Sequence, residues 1–279
     1  MRIDDLREST NVQDRRGFRI GRGGAIGGGA AVVALVLALL GAPQEVVQQV
    51  LQGGEQSTGQ VEQVPIDPAQ APIASRTKKI MASTEDTWSA LFQREGSRYS
   101  PPQLVLFSEA VKSACGVATS AVGPFYCPLD RQVNIDLTFF DELDRKFGAP
   151  GDFAQAYVVA HEVGHHIQTL TGVSEKVHAA RQRASEVEGN QLSVRQELQA
   201  DCYAGIWAKH GLASQGRLDP GDIEEGLQAA SAIGDDTLQK RARGHVVPES
   251  FTHGSSAQRV QWFKRGYDTG SIKACDTFN

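Results

Sequence analysis

One helical segment constrains this chain more than any other feature, because it places two histidines four residues apart. Residues 152–170 read DFAQAYVVAHEVGHHIQTL and contain His161, Glu162 and His165. An aspartate at the start and a glycine at 172 favour a helix over this range. Residues four apart share a helix face, so both imidazoles can bind one metal ion with Glu162 beside them. The pattern is short enough to occur by chance. The alternative is therefore two core or surface histidines and a solvated glutamate.

A second helical segment offers the third protein ligand that a catalytic zinc site requires. Residues 195–201 read RQELQAD, with Glu197 36 residues after His161 and Asp201 one turn beyond Glu197. Asp201 is expected to accept a hydrogen bond from His161 and to fix its ring. The alternative for both carboxylates is a polar helix face. The small residues that continue this face, and are predicted to bring the two helices together, are Ala204, Gly205 and Ala208.

Among the remaining histidines, His253 has a context that suggests chemistry. It lies in the segment THGSS, just before the predicted helix that bears Arg259. A donor near the metal would stabilise a tetrahedral oxyanion, which makes His253 a candidate catalytic residue. The alternative is that His253 and Ser255 only cap and brace that helix. His166 points about 100° away from its neighbour on the helix and is expected to pack.

The N-terminal part of the chain predicts a membrane anchor. Residues 23–42 contain no charged or strongly polar side chain, and about 20 such residues can cross a bilayer as a helix. Arginines before this stretch favour a cytoplasmic N-terminus and an extracytoplasmic domain. The main alternative is a cleaved signal peptide, but the stretch lacks an A-x-A cleavage site and follows a long polar segment. A buried soluble helix is the other alternative. The predicted divisions are a cytoplasmic segment (1–22), an anchor (23–43), a Gln- and Pro-containing tether (44–75) and a metal-binding domain (76–279).

The net charge and the cysteines narrow the possible functional classes further. The net charge is −5 over 279 residues, with no long basic run after residue 22, which argues against nucleic acid as a partner. The four cysteines contain no C-x-x-C pair, so they do not predict a zinc finger. In an oxidising compartment, Cys115 and Cys127 are the natural pair by proximity, which leaves Cys202 for Cys275. Four buried free thiols are the alternative.

The secondary-structure pattern indicates an α+β class that is mostly helical with a small sheet. Further helices are predicted near 83–92, 174–188, 193–210, 220–233 and 255–266, and strands at 104–107 and 132–139. The second strand is a candidate edge strand that could pair with an extended peptide. A purely structural strand is the alternative.

Five segments of the chain resemble the neutral zinc metallopeptidase family, a group of membrane-anchored bacterial proteins. They are RESTNVQDRRG (7–17), CGVATSAVGPFYCPLDRQVNIDLTFF (115–140), AHEVGHHIQ (160–168), RQELQADCYAGIWA (195–208) and HGSSAQRVQWFKRG (253–266). Together they span most of the chain outside the tether. The resemblance implies zinc binding and a zincin-like core of the gluzincin type.

These observations predict a membrane-anchored zinc-dependent endopeptidase with one Zn²⁺ per chain and a peptide or protein substrate. His161, His165 and Glu197 are the expected ligands, and Glu162 is the expected general base. A non-catalytic, zinc-stabilised binding or scaffold protein is the main alternative, although a structural site has no use for a base at Glu162. A soluble enzyme released by cleavage after residue 42 is a third hypothesis.

Overall fold

The described part of the chain forms two compact units. The computed structural model describes residues 1–20 and 61–279. The first unit contains Met1–Asn11, Ile73–Pro102 and Phe140–Asn279; the second contains the described residues of Val12–Pro72 together with Gln103–Phe139. Helices dominate the first unit and short strands the second, which confirms the predicted α+β class.

Eight α-helices occur in the described residues: α1 (Ala71–Arg94), α2 (Thr138–Arg145), α3 (Asp152–Leu170), α4 (Val173–Arg181), α5 (Glu186–Trp207), α6 (Asp222–Ala232), α7 (Asp235–Arg243) and α8 (Ser256–Thr269). The strands there are β1 (Val12–Asp14), β2 (Phe18–Ile20), β3 (Val61–Gln63), β4 (Gln103–Phe107), β5 (Ala110–Ser113), β6 (Gly116–Thr119), β7 (Phe125–Cys127) and β8 (Gln132–Asp136).

Two helices, α3 and α5, form the centre of the first unit. α3 is buried along most of its length and has the predicted bounds, although Gly151 rather than Asp152 occupies its N-cap position. α5 begins earlier than predicted because Ser185 and Glu188 form a reciprocal capping box. The helix predicted over 174–188 is therefore divided between α4 and the first turn of α5, and most of the helix predicted over 193–210 belongs to α5.

The last helix, α8, packs closely on α5. A Cβ at Gly266 would lie 1.9 Å from the carbonyl oxygen of Cys202, so only glycine fits at this position of α8. Cys202 is also bonded to Cys275, which ties the C-terminal segment to α5. The second unit contains the other disulfide, Cys115–Cys127. Both predicted pairs are thus bonded, and no cysteine of the described residues is free.

The first eleven residues are part of the helical unit. Ile3 is buried, Ser9 Oγ donates a hydrogen bond to Glu85 Oε1 at 2.6 Å, and Arg7 Nη2 lies 3.0 Å from Glu85 Oε2. Glu85 lies inside α1, a helix that starts at Ala71 rather than near residue 83. The structure therefore differs from the predicted division at residue 76, because the folded part already includes the N-terminal segment.

The second unit is built on a four-stranded sheet with the order β1-β4-β8-β7. β4 pairs in parallel with β1 and β8, and β7 pairs antiparallel with β8. β8 ends where Asp136 Oδ1 accepts a hydrogen bond from the Thr138 backbone N–H at 3.0 Å, at the start of α2. Residues 132–134 of β8 are paired on both sides, by β4 and β7, and therefore offer no free edge to a peptide. The edge strand predicted over 132–139 is wrong in this respect.

The predicted anchor, residues 23–43, lies outside the described residues. In the described ranges, no helix combines the length and the apolarity that a membrane crossing requires. Residues 1–11 contact Glu85 in the same unit as the predicted metal ligands. A single crossing by residues 23–43 would separate these contacts across the bilayer. The predicted topology places 1–22 in the cytoplasm and the metal domain outside, although residues 1–11 and the predicted ligands belong to one unit; this topology stays a prediction.

Candidate metal centre

Three predicted ligands from two helices converge on one point of the first unit. His161 and His165 lie on α3, and Glu197 lies on α5. His161 Nε2 is 3.1 Å from Glu197 Oε2, and His165 Nε2 is 3.4 Å from Glu197 Oε1. The three ligand atoms that these residues offer all lie within 4.8 Å of one another. Two imidazole nitrogens and one carboxylate form the ligand set of a catalytic zinc site.

The ligands can converge because α3 and α5 touch at two small residues. A Cβ placed on Gly164 would lie 2.9 Å from the carbonyl oxygen of Ala200, so a larger residue at 164 would force the helices apart. Neither Gly164 nor Ala200 is among the small residues predicted to bring the two helices together. Gly205, which was expected at this contact, faces α8 instead, where its Cβ would lie 2.1 Å from the Phe263 carbonyl oxygen.

His161 is held by a buried cluster of charged groups. Its Nδ1 lies 2.8 Å from Asp201 Oδ1, as the spacing of the two motifs predicts. Arg259 donates to both carboxylate oxygens of Asp201 at 2.9 Å, and Tyr157 Oη donates to Asp201 Oδ1 at 2.5 Å. Sequence reasoning missed both partners. Tyr157 lies one turn before His161 on α3, so helical spacing could have indicated it. Arg259 lies 58 residues beyond Asp201, and no local pattern indicates it.

His165 is held by a neutral group instead. Its Nδ1 lies 2.9 Å from Oε1 of Gln168, which is buried and one turn further along α3. With both Nδ1 atoms occupied by other partners, the two Nε2 atoms face the Glu197 carboxylate. This orientation fits zinc, because each imidazole offers its Nε2 lone pair while its other nitrogen is fixed by a neighbour.

The charges of the cluster suit a cation. Burial lowers the pKa of His161, but Asp201 and Glu197 outweigh burial and raise that pKa to about 10. Burial raises the pKa of Glu197, but the adjacent His165 and His161 outweigh it and hold that pKa well below its usual range. Without a metal, a proton on the His161 imidazole therefore offsets part of the carboxylate charge. A metal ion requires a neutral imidazole, so its binding would displace this proton.

Glu162 lies among the predicted ligands but makes no close approach to them that would make it a fourth. Its side chain is almost buried, and burial raises the pKa of its carboxyl, against the opposing charges of His165 and His161. A carboxylate with a raised pKa accepts a proton more readily than an exposed one. Glu162 therefore lies in a buried environment whose charges include both predicted histidine ligands and Glu197, and its role as a general base stays a prediction.

His253 is placed by a loop that Asp235 holds together. Asp235 Oδ2 accepts hydrogen bonds from the backbone N–H groups of Thr252, His253 and Gly254 at 2.7, 2.6 and 3.0 Å. Asp235 Oδ1 lies 3.3 Å from His253 Nδ1. Asp235 has no sequence signal for this role, because it stands 18 residues before His253 as the first residue of α7.

The charge of His253 is linked to the metal centre. Desolvation acts to lower the pKa of His253, but about half of the side chain (52%) is exposed. The negative charges of Asp235 and Glu197 outweigh this contribution and raise the pKa. The charge of Glu197 thus favours the protonated form of His253. The cap of α8 comes from Ser255, which forms a capping box with Gln258, so capping does not require His253.

His166 has the packing role that its helix position predicts. It is fully buried, its Nε2 lies 2.6 Å from the carbonyl oxygen of Ser100, and its ring meets Tyr99 edge to face. His166 is not among the residues that converge on Glu197. The described residues therefore provide two imidazoles, not three, to the candidate metal centre.

Comparison with known proteins finds relatives along the whole chain. A family model described as "Putative neutral zinc metallopeptidase" matches residues 1–278. The chain is 46% identical over 291 residues to Uncharacterized protein YpfJ of Escherichia coli (strain K12), covering 100% of this chain and 99% of that relative. It is 47% identical over 191 residues to Uncharacterized protein Rv2575 of Mycobacterium tuberculosis, covering 65% of this chain and 64% of that relative. No solved structure matches the chain.

Proposed function

Because this chain belongs to the neutral zinc metallopeptidase family, we propose that it is a zinc-dependent endopeptidase with one Zn²⁺ per chain. The observation that carries the proposal is the convergence of His161 Nε2, His165 Nε2 and the Glu197 carboxylate, with Glu162 beside them. Three protein ligands leave one position open, as in catalytic rather than structural zinc sites. The proposed core is zincin-like and of the gluzincin type, since the third ligand is a glutamate.

The residues around the centre supply the remaining parts of a hydrolytic mechanism. Zinc in such a site lowers the pKa of water and polarises a carbonyl group. Glu162 accepts the proton of the attacking water at its carboxylate and delivers it to the nitrogen of the leaving amine. Asp201 and Gln168 hold the Nδ1 protons of His161 and His165, so that neither imidazole rotates during the reaction.

His253 is the proposed electrophilic catalyst. Its raised pKa favours the protonated ring, and its half-exposed side chain is open to a bound peptide. In this position it would donate a hydrogen bond to the carbonyl oxygen as negative charge develops there. Changing His253 to Ala should lower kcat by about 10²–10³-fold with zinc content unchanged, by analogy with the removal of an oxyanion donor. Unchanged kcat would assign His253 to the loop alone.

We also propose that the metal-binding unit is extracytoplasmic and that residues 23–43 attach the chain to a membrane. Two disulfides support an oxidising compartment. Residues 1–11 should share that compartment, because they pack in the same unit as the metal ligands. Protease accessibility of tags at both termini, in intact cells and after lysis, tests this. A protected N-terminal tag together with an accessible C-terminal tag would contradict it.

The proposal is tested with the full chain, because a fragment from residue 76 would lack Ile3 and the contacts of Arg7 and Ser9. Zinc content and cleavage of a peptide library are measured with and without a chelator. Wild type should contain about one zinc and cleave peptides, and the chelator should abolish cleavage. Glu197→Ala should lose most of the metal, whereas the matched exposed control on α5, Glu186→Ala, should keep it. Chelator-insensitive cleavage, or full zinc retention by Glu197→Ala, would overturn the site assignment.

A further inference from the structure

The support of His165 continues beyond Gln168 into a chain of buried amides. Gln168 Nε2 donates to the Gln196 carbonyl oxygen at 2.6 Å and to Gln199 Oε1 at 3.1 Å. Gln199 Nε2 in turn donates to the carbonyl oxygen of Cys275 at 3.0 Å. Both glutamine side chains are buried, so water does not compete for these hydrogen bonds. This amide relay, Gln168 and Gln199, connects a predicted metal ligand to the C-terminal segment.

Two backbone carbonyls fix the direction of every hydrogen bond in the amide relay. A carbonyl oxygen only accepts, so the amide nitrogens of Gln168 and Gln199 must face Gln196 and Cys275 respectively. The side-chain oxygen of each glutamine then faces the residue before it in the relay, in the order His165, Gln168, Gln199. Oε1 of Gln199 accepts from Gln168, and Oε1 of Gln168 accepts from His165. The proton of His165 therefore lies on Nδ1, and its Nε2 lone pair is left for the metal.

We propose that Gln168 and Gln199 are positioning residues of the zinc site, which set the tautomer and ring orientation of His165 from the C-terminal segment. This inference rests on the proposed zinc function. Partners of a metal-bound histidine typically change metal affinity 10–100-fold when they are removed. Gln168 acts on His165 directly, and Gln199 acts on it only through Gln168.

The far end of the relay is held in place by covalent and hydrogen bonds. Cys275 is bonded to Cys202, which lies on α5 three residues after Gln199. Thr277 Oγ1 donates to the carbonyl oxygen of Arg195, on the same helix, at 2.7 Å. The carbonyl that orients Gln199 is therefore fixed relative to α5. The Cys202–Cys275 disulfide thus supports His165 as well as the C-terminus.

The test measures zinc affinity of the full chain by chelator competition. Gln168→Met keeps the length of the side chain but removes the acceptor, and should weaken zinc binding about 10–100-fold. Gln199→Met should weaken it by a smaller factor, and the double variant should be no weaker than Gln168→Met alone. Gln191→Met, at an exposed position of α5, is the matched control and should bind zinc as wild type does.

A second readout separates positioning from a general loss of stability. NMR should show that the Nδ1 proton of His165 is protected from solvent exchange in wild type, with or without zinc. The protection should disappear in Gln168→Met and decrease in Gln199→Met, whereas a purely structural role would leave it unchanged. If Gln168→Met does not fold, Gln199→Met alone decides the result. Wild-type affinity and protection in the folded variants would overturn the proposal.

The role of the disulfide is tested by a double-mutant cycle. Replacing both Cys202 and Cys275 by Ser should weaken zinc binding, but should add little in a Gln199→Met background, because both changes act on the same carbonyl contact. Additive losses would show that the disulfide does not act through the relay. If wild type itself binds no zinc, the proposed function fails, but the proton protection of His165 still tests the relay.

Discussion

On one side of the metal centre, His161 is supported by charged groups, whereas on the other side His165 is supported by neutral amides. Asp201 and Arg259 lie at the Nδ1 of His161, and Tyr157 donates a hydrogen bond to Asp201. The Nδ1 of His165 meets only Gln168. Both arrangements leave Nε2 to the metal, so the same orientation is obtained in two ways. This difference predicts that substitutions on the two sides change the stability of the protein by different amounts.

The charged side should be the more sensitive, because each of its members compensates another. Arg259 is 2% exposed and Asp201 is 0% exposed, so neither can exchange its partner for water. Removing one partner of a buried ion pair leaves an uncompensated charge, whereas removing an amide leaves an unsatisfied dipole. The neutral side should therefore lose less stability, and its amides should add no pH dependence in the acid range where Asp201 titrates. The predictions below are directed at this contrast.

The largest effect on stability is expected for Arg259→Met. The change leaves Asp201 as a buried anion with only His161 and Tyr157 as partners, and should cost about 3–5 kcal/mol of unfolding free energy. Chemical denaturation of the metal-free full chain measures it. Lys264→Met, at an exposed position of the same helix, should cost about 0.5 kcal/mol or less. A loss for Arg259→Met as small as that of the control would refute the charged support.

A smaller loss is expected for Tyr157→Phe. This change removes one hydrogen bond to Asp201 but leaves the pairs with Arg259 and His161, so about 1.5–3 kcal/mol should be lost. The same denaturation assay applies. In the Arg259→Met background, the effect of Tyr157→Phe should not be additive, because both act on one carboxylate. Strict additivity would show that the two residues do not form one cluster.

On the neutral side, Gln168→Met should cost about 1–3 kcal/mol, since it leaves the Nδ1–H of His165 and the Gln199 oxygen without a partner. This loss should be smaller than that of Arg259→Met, measured under the same conditions. An equal or larger loss for Gln168→Met would reverse the contrast between the two supports.

The smallest expected effect is on the stability at acid pH, which should depend on the charged support of His161 but not on the neutral support of His165. Burial raises the pKa of Asp201, but Arg259 and His161 outweigh it and lower that pKa from 3.8 to about 2. Stability from this depressed pKa is present above pH 3.8 and is lost as the pH falls towards 2. Asp201→Asn should therefore reduce the pH dependence of the metal-free chain in this window. Gln168→Met should leave it unchanged, and equal pH profiles for all three proteins would contradict the account.

The ligands could be predicted from the sequence because helical spacing alone brings them to one face. His161 and His165 are four apart, as are Glu197 and Asp201, so two helices in contact are enough. The disulfide pairs followed from proximity and elimination. Nothing local indicates Arg259 or Asp235, because each acts on a residue in another element through tertiary contacts. Gln168 could have been predicted, because it lies one helical turn from His165.

Other errors have similar physical causes. The polar, arginine-rich N-terminal residues were not predicted to form a strand, yet β1 pairs with a strand that begins at Gln103. Parallel pairing over such a distance leaves no local pattern. The strand predicted over 132–139 was a candidate edge strand, but its place in the sheet depends on pairing with β4 and β7, which no local pattern indicates. Gly205 was expected to face α3 but packs against α8 for the same reason.

The most direct test of the central claim is a comparison of wild type with Glu162→Gln, both as the full chain loaded with zinc. Glutamine keeps the shape of the side chain but cannot accept the proton of the attacking water. The account predicts normal folding and normal zinc content, with peptide cleavage lowered about 10²–10⁴-fold. A non-catalytic, zinc-stabilised binding protein would give no chelator-sensitive cleavage in either protein. Zinc-loaded Glu162→Gln that cleaves peptides as fast as wild type would contradict the account.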